Sequence, residues 1–202
     1  MSIIDAEHDE LLLAQRKEWG GDRFDEVWDE VYVMSPLADV EHQELVSGLT
    51  TVLNLVIGWP GLGTVLPGAN VTDREHDWTK NYRVPDVLVF LRGNLAQNRR
   101  THWLGGPELA VEIVSRGDRS REKLAFYAAV GTRELLIVDR DPWALELYRS
   151  NDGVMDRVGL STTKAAEVIA STVVPLTFRL LAGEARPVIE IRHTDGVQRW
   201  SI

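Results

Sequence analysis

Two short apolar runs, each with a single acid inside it, constrain this chain more than any other feature. Residues 84–91 read VPDVLVFL and residues 109–115 read LAVEIVS. Both are rich in β-branched residues and apolar at successive positions, the pattern of central strands covered on both faces. Asp86 and Glu112 therefore stand where an ionised carboxylate is costly unless paired or bound to a cation. Pro85 cannot donate a ladder hydrogen bond, so Asp86 belongs at a strand start, an edge or a bulge. If the two strands pair, the carboxylates converge and repel each other unless a cation holds them together. The competing reading is a salt bridge from one or both acids to an arginine such as Arg83 or Arg116.

The surrounding elements place these runs inside an α/β fold. Asp5 can cap a helix that runs to about Trp19 and closes at Gly20-Gly21. Val27, Val31 and Val33 suggest one strand, ended by Ser35-Pro36. Leu45, Leu49, Val52, Leu53 and Val56 follow helical spacing and predict a helix over residues 39–58. A short strand is expected at 64–66. An amphipathic helix over 119–130 carries Leu124, Phe126, Tyr127 and Val130, with Gly131 as its C-cap. Strands follow at 135–139 and 144–148. The strand, helix, strand order from 109 to 139 predicts a crossover unit with two parallel strands. In the tail a helix is expected over 164–170 and a hairpin of 188–191 with 197–200, turning at Asp195-Gly196. Three parts result: an acidic N-terminal helix (1–22), a core (23–150) and an α/β extension packed on it (151–202).

Charge is informative through its distribution. The net charge of −9 is concentrated in residues 1–30, which carry ten acids against Arg16, Lys17 and Arg23. Residues 91–123 are instead basic, with seven cations against four acids, so a polyanion could bind there despite the overall sign. A solvated surface stretch is the plainer alternative. The chain has no cysteine, which removes disulfides, thiolate metal sites and cysteine nucleophiles. The acidic flank of MSIIDAEHDELLL is unlike a signal peptide, and no apolar run reaches the ~20 residues of a membrane span. A cytoplasmic protein without membrane contact is the expectation.

Hard oxygen ligands without sulfur suit magnesium or manganese, so Asp86 and Glu112 predict a site for Mg²⁺ or Mn²⁺. Lys123 lies eleven residues past Glu112, at the start of the next helix. A short turn could bring its ammonium back over the strand end, to orient a water or stabilise charge on a phosphate. A solvated helix-face lysine is the alternative.

In order, VPD at 84–86, EIVS at 112–115, REKLAFY at 121–127 and GTRELLIVD at 131–139 resemble the PD-(D/E)XK nuclease superfamily. The likeness is to its branch of bacterial restriction-endonuclease domains of largely unknown role. DEVYVMSP at 29–36 and EHQELV at 41–46 extend it to about residues 23–149. The resemblance implies a restriction-endonuclease-like core, a central mixed β-sheet flanked by helices. It implies that Asp86 and Glu112 bind the metal, with the backbone carbonyl of Ile113 as a further ligand. The superfamily's usual lysine falls two residues after the glutamate, where this chain has Val114, and Lys123 on the following helix takes that role. Ser115 and Asp118 match an S-x-x-D pattern that ties down the loop or simply caps a turn. Glu30, His42 and Glu44 could approach the site, although an exposed or core position is the commoner fate of a single histidine. Arg116, Arg119 and Arg121 are the candidate nucleic-acid contacts. The implied activity is metal-dependent endonucleolytic hydrolysis of nucleic acid, DNA in the first instance, with a homodimer as a natural way to cut both strands. The alternative is a non-catalytic nucleic-acid-binding or protein-interaction domain that retained the nuclease fold.

Overall fold

A computed structural model describes residues 6–115 and 119–202, with the backbone alone for residues 6–10. Helix α1 (Ala6–Glu18) is followed by Gly20, whose φ of 67° supplies a left-handed turn. The predicted cap of this helix, Asp5, lies outside the described residues. Arg16 in its last turn reaches the buried Asp25, 2.8 and 2.5 Å away, which ties the helix to the strands that follow. Those are β1 (Glu26–Trp28) and β2 (Val31–Val33), a tight hairpin with Trp28 opposite Val31. The single strand expected here is split because Asp29 and Glu30 take φ of 47° and 70°, the pair that a two-residue hairpin turn requires.

Helix α2 (Val40–Leu53) is capped by Asp39, which accepts a 2.7 Å hydrogen bond from the His42 amide. Residues 54–58 prolong it as one π-helical turn, so the predicted span holds. Strands β3 (Gly63–Pro67), β4 (Val71–Thr72), β5 (Tyr82–Arg83), β6 (Val87–Leu91), β7 (Gln97–Asn98), β8 (Trp103–Leu104) and β9 (Leu109–Ile113) follow. A 3₁₀ turn (Ser120–Lys123) leads into α3 (Leu124–Ala129). Then come β10 (Glu134–Arg140), β11 (Trp143–Asn151) and β12 (Val154–Thr162). The tail adds β13 (Ile169–Ala170), β14 (Leu176–Leu181), β15 (Val188–His193) and β16 (Arg199–Ser201).

The central sheet has the order β12-β11-β10-β9-β6-β3. β9 and β10 are parallel and the other pairs antiparallel, a mixed sheet with the predicted crossover at its centre. Period-2 alternation divides its side chains. Val87, Val89, Val111, Ile113, Leu136 and Val138 face a layer made by α2 and the sheet β13-β14-β15-β16. Leu88, Phe90, Ala110, Leu135 and Ile137 face Phe126 and Tyr127 of α3 and Val71 of β4. Glu112 lies on this second face, two residues after Ala110. A second, smaller sheet, β2-β1-β5-β4-β8-β7, brings β1 beside the strand that leads into Asp86.

The tail departs from expectation. Residues 164–170 form no helix, and the described part of 151–202 is strand and turn instead of α/β. Thr162 makes a turn instead, donating from its amide to Ala165 O at 3.0 Å and accepting from the Ala165 amide at 3.1 Å. The β-branched pair Val168-Ile169 then extends, and the buried Ile169 pairs with Phe178. The hairpin through Asp195-Gly196 forms as expected. Among the described residues no helix is long and apolar enough to cross a membrane.

Leu136 is fully inaccessible at the centre of the sheet. Leu136→Ala is expected to lower stability by about 2–5 kcal/mol, seen as a lower urea midpoint at unchanged slope.

Candidate active site

β6 and β9 pair in the register Val87↔Val111. Continuing that register by two residues puts Pro85 opposite Ile113, where proline has no N–H to offer. The Ile113 amide is thereby left for a side chain, and Asp86 Oδ2 accepts it at 2.7 Å. Asp86 Oδ1 lies 2.9 Å from His42 Nε2. His42 sits in the first turns of α2, buried, and its Nδ1 is 3.4 Å from Ser115 Oγ. Ser115 is reached in turn by Arg140, whose Nε donates to Val114 O at 3.1 Å.

Glu112 is held from the other side. Lys123 Nζ stands 3.0 and 3.1 Å from its two oxygens, and the Tyr127 hydroxyl donates to Oε1. Lys123 and Tyr127 are four residues apart and so share one side of the helical segment. The lysine is buried, not the solvated residue that its position alone would suggest. Its Nζ also lies 2.9 Å from Glu26 Oε1. Glu26 is itself buried, accepting from the Val84 amide at 2.8 Å and from Trp28 Nε1 at 2.7 Å. Neither Asp86 nor Glu112 pairs with Arg83, whose guanidinium lies over the rings of Trp28 and Phe126 and donates to Val27 O.

These groups line one pocket of about 410 Å³, which includes Arg23, Glu26, His42, Asp86, Glu112, Ile113, Ser115 and Lys123. Burial pushes the Glu112 carboxyl up to about 8; the Glu26 and Asp86 charges add to the rise, and the Lys123 ammonium and Tyr127 hydroxyl oppose it. Burial likewise raises the Tyr127 phenol well above its ordinary value, the Glu112 charge adding to it.

Sequence reasoning named most of this constellation, and the structure brings Asp86, Glu112, Ile113, Lys123, His42 and Ser115 together. It leaves others outside. Glu30 sits in the β1–β2 turn beside Lys80 and Arg74, its side chain 65% exposed, because the left-handed turn points it away from β1. Glu44 faces Arg186 on the outer side of α2. Arg119 pairs with Glu122, and Arg121 is taken by Asp139 and Glu146, each at 2.7 Å. Arg116 and Asp118 lie outside the described residues. Glu26 and Tyr127 were missed. The available signals were the shared strand face of Glu26 and Trp28 and the four-residue spacing of Lys123 and Tyr127.

The donors suit a hard divalent cation: the Asp86 and Glu112 carboxylates open on one pocket, and the Ile113 carbonyl shares the strand edge of the amide that meets Asp86. Among the described residues no three of His, Asp and Glu already meet as a metal-binding group. A cation held by Glu112 would share that carboxylate with the Lys123 ammonium, which Glu26 also holds.

A mixed sheet with an aspartate entering one strand, an acid in its neighbour and a lysine laid against that acid defines a restriction-endonuclease-like domain of the PD-(D/E)XK kind. The model of the Uma2 family, described as "Putative restriction endonuclease", matches residues 9–182, and the chain belongs to that family. A crystal structure described as "a putative nuclease belonging to DUF820" from Anabaena variabilis ATCC 29413 shares the fold, with a TM-score of 0.60 at 15% identity. The alignment covers 74% of this chain and 82% of that one. None of the curated proteins matches the chain.

Two outcomes follow from the buried charges. Lys123→Met leaves Glu26 and Glu112 buried without their ammonium, and is expected to cost about 3–5 kcal/mol in urea denaturation. The Glu112 carboxyl is raised from 4.5 to about 8, so the folded state binds the proton more tightly than the unfolded chain. Its stability contribution is full below about 4.5 and is lost as pH rises towards 8. Glu112→Gln should therefore gain on wild type in urea midpoint between pH 5 and 8, and a constant difference would contradict the raised value.

Proposed function

We propose that this protein is a divalent-metal-dependent endonuclease that hydrolyses phosphodiester bonds of DNA. One observation carries the proposal: a buried lysine spans Glu112 and Glu26, 3.0 and 2.9 Å away, in the pocket that also holds Asp86. Asp86, Glu112 and the Ile113 carbonyl would hold Mg²⁺ or Mn²⁺, which when bound supplies a Lewis acid and a water of lowered pKa. The chain's own residues do the remainder. Lys123, anchored by Glu26, presents its ammonium to the phosphate oxygen on which negative charge develops. His42 and the Ile113 amide fix the Asp86 carboxylate, and Tyr127 restrains Glu112.

A second function is favoured by a specific observation. Lys123 meets both Glu112 oxygens, and Val114 occupies the superfamily's usual lysine position. A domain locked in that state would bind nucleic acid or a protein partner without cleaving. Plasmid DNA incubated with Mg²⁺ or Mn²⁺ separates the two. Cleavage by wild type should vanish with chelator and fall about 10²–10³-fold in Asp86→Asn, Glu112→Gln and Lys123→Gln. Salt-sensitive DNA binding with no cleavage under either metal would establish the binding domain instead.

A further inference from the structure

The basic stretch 91–123 is a poor polyanion surface once folded. Of its described cations Arg99 pairs with Glu75, Arg119 with Glu122, Arg121 with two acids and Lys123 with two more, and Arg92 and Arg100 stay outside these ion pairs. A denser cluster of positive charge lies on the solvent face of the sheet formed by β14, β15 and β16.

Alternation along these strands sends Leu176, Phe178, Leu180, Ile189 and Ile191 into the core. Arg179, Glu190, Arg192 and Arg199 share the other face. Arg179 stands opposite Glu190, and Arg192 stands directly opposite Arg199, a like-charge cross-strand pair that is destabilising in itself. All three guanidiniums converge on the single buried carboxylate of Glu190, at 2.5, 3.1 and 2.6 Å for Arg179, Arg192 and Arg199. Three cations on one acid leave a net charge of +2, and the arginine side chains are 29%, 49% and 56% exposed. The nearby acids Glu184 and Asp195 lie in the turns, off this face. Thr177 and Ser201 complete it with hydroxyls, opposite Arg192 and Glu190.

The same sheet is tied to the helix that supplies His42. The turn between β14 and β15 carries Arg186, which meets Glu41 and Glu44 on α2, each at 3.7 Å. Those acids flank His42, the residue that α2 sends to Asp86. Arg179 and Glu190 lie two residues from that turn, about 7 Å along the strands.

We propose that the solvent face of β14–β16 docks the phosphate backbone of the DNA that the pocket cleaves. This rests on the nuclease function above and adds where the duplex lies. Exposed guanidiniums in excess over acid, with hydroxyls between them, match the spaced anionic oxygens of a backbone and read no sequence.

The test uses the double variant Arg192→Gln, Arg199→Gln, which leaves Arg179 on Glu190, and separately Ser201→Glu, which removes no guanidinium and adds an acid. Anisotropy with a short DNA duplex is measured in chelator from about 50 to about 200 mM salt, and cleavage of the same duplex is measured with Mn²⁺. The double variant is expected to bind roughly tenfold more weakly or worse, with the salt slope shallower by about 1.8 for two lost phosphate contacts. Ser201→Glu weakens binding in the same direction. For both, KM rises and kcat at saturating duplex is unchanged. Unchanged affinity and slope in variants of a wild type that cleaves overturn the docking face and leave the nuclease standing. A wild type that neither binds nor cleaves overturns both. Unchanged DNA binding with altered self-association would give the face to an acidic segment of a second copy, and also overturns the proposal.

Discussion

The Lys123 ammonium joins parts of the chain that are far apart in sequence. It meets Glu26 on β1 and Glu112 on β9 from its own 3₁₀ turn. A buried cation is tolerable only where carboxylates surround it and their remaining lone pairs are used. Both conditions hold here, since the Val84 amide, Trp28 Nε1 and the Tyr127 hydroxyl complete the two acids. The position of β1 against the sheet and the depth of α3 above it are thus set by one ion cluster. Asp86 is fixed separately, by backbone that Pro85 leaves unpaired.

This cluster changes the meaning of the acidic N-terminal segment. By composition residues 1–30 look like a solvated acidic stretch. In the fold several of those acids have specific partners: Asp25 takes Arg16, the Tyr32 hydroxyl and the Ser35 amide, and Glu26 takes Lys123. Asp29 and Glu30 pair with Arg74 and Lys80 at the hairpin turn. Segment charge therefore says little about the potential at the pocket or at any docking face.

The central strands and α2 were legible because their patterns are local: apolar runs for buried strands, helical spacing for the helix, a proline that disturbs a ladder. Asp86 and Glu112 were legible because a lone acid in an apolar strand needs a partner. Glu26 was not, since it sits among nine other acids and its burial depends on β1 pairing with β5, a contact between residues more than fifty apart. Glu30 fell to the turn because two left-handed residues split a strand that alternation alone could not divide. The tail misled for a similar reason, its extended form being set by the pairing of Ile169 with Phe178 and not by its own composition.

A lysine brought to Glu112 from a helical turn carries its own structural demand. Residues 112 and 114 share one strand face, so a lysine at 114 would be placed by the same strand as the glutamate. Val114 instead packs against the cluster of Ala110, Phe126 and Leu135, and the cation arrives from another element. Its precision then depends on how firmly that element is seated against β1. Arg83 supplies this link: its guanidinium lies 4.6 Å from the Trp28 ring and 4.3 Å from the Phe126 ring, and donates to Val27 O and Asn81 Oδ1. Each such contact contributes about 0.5–2 kcal/mol. The arginine that the sequence offers as a salt-bridge partner for the acids instead spans the two elements whose Glu26 and Lys123 meet.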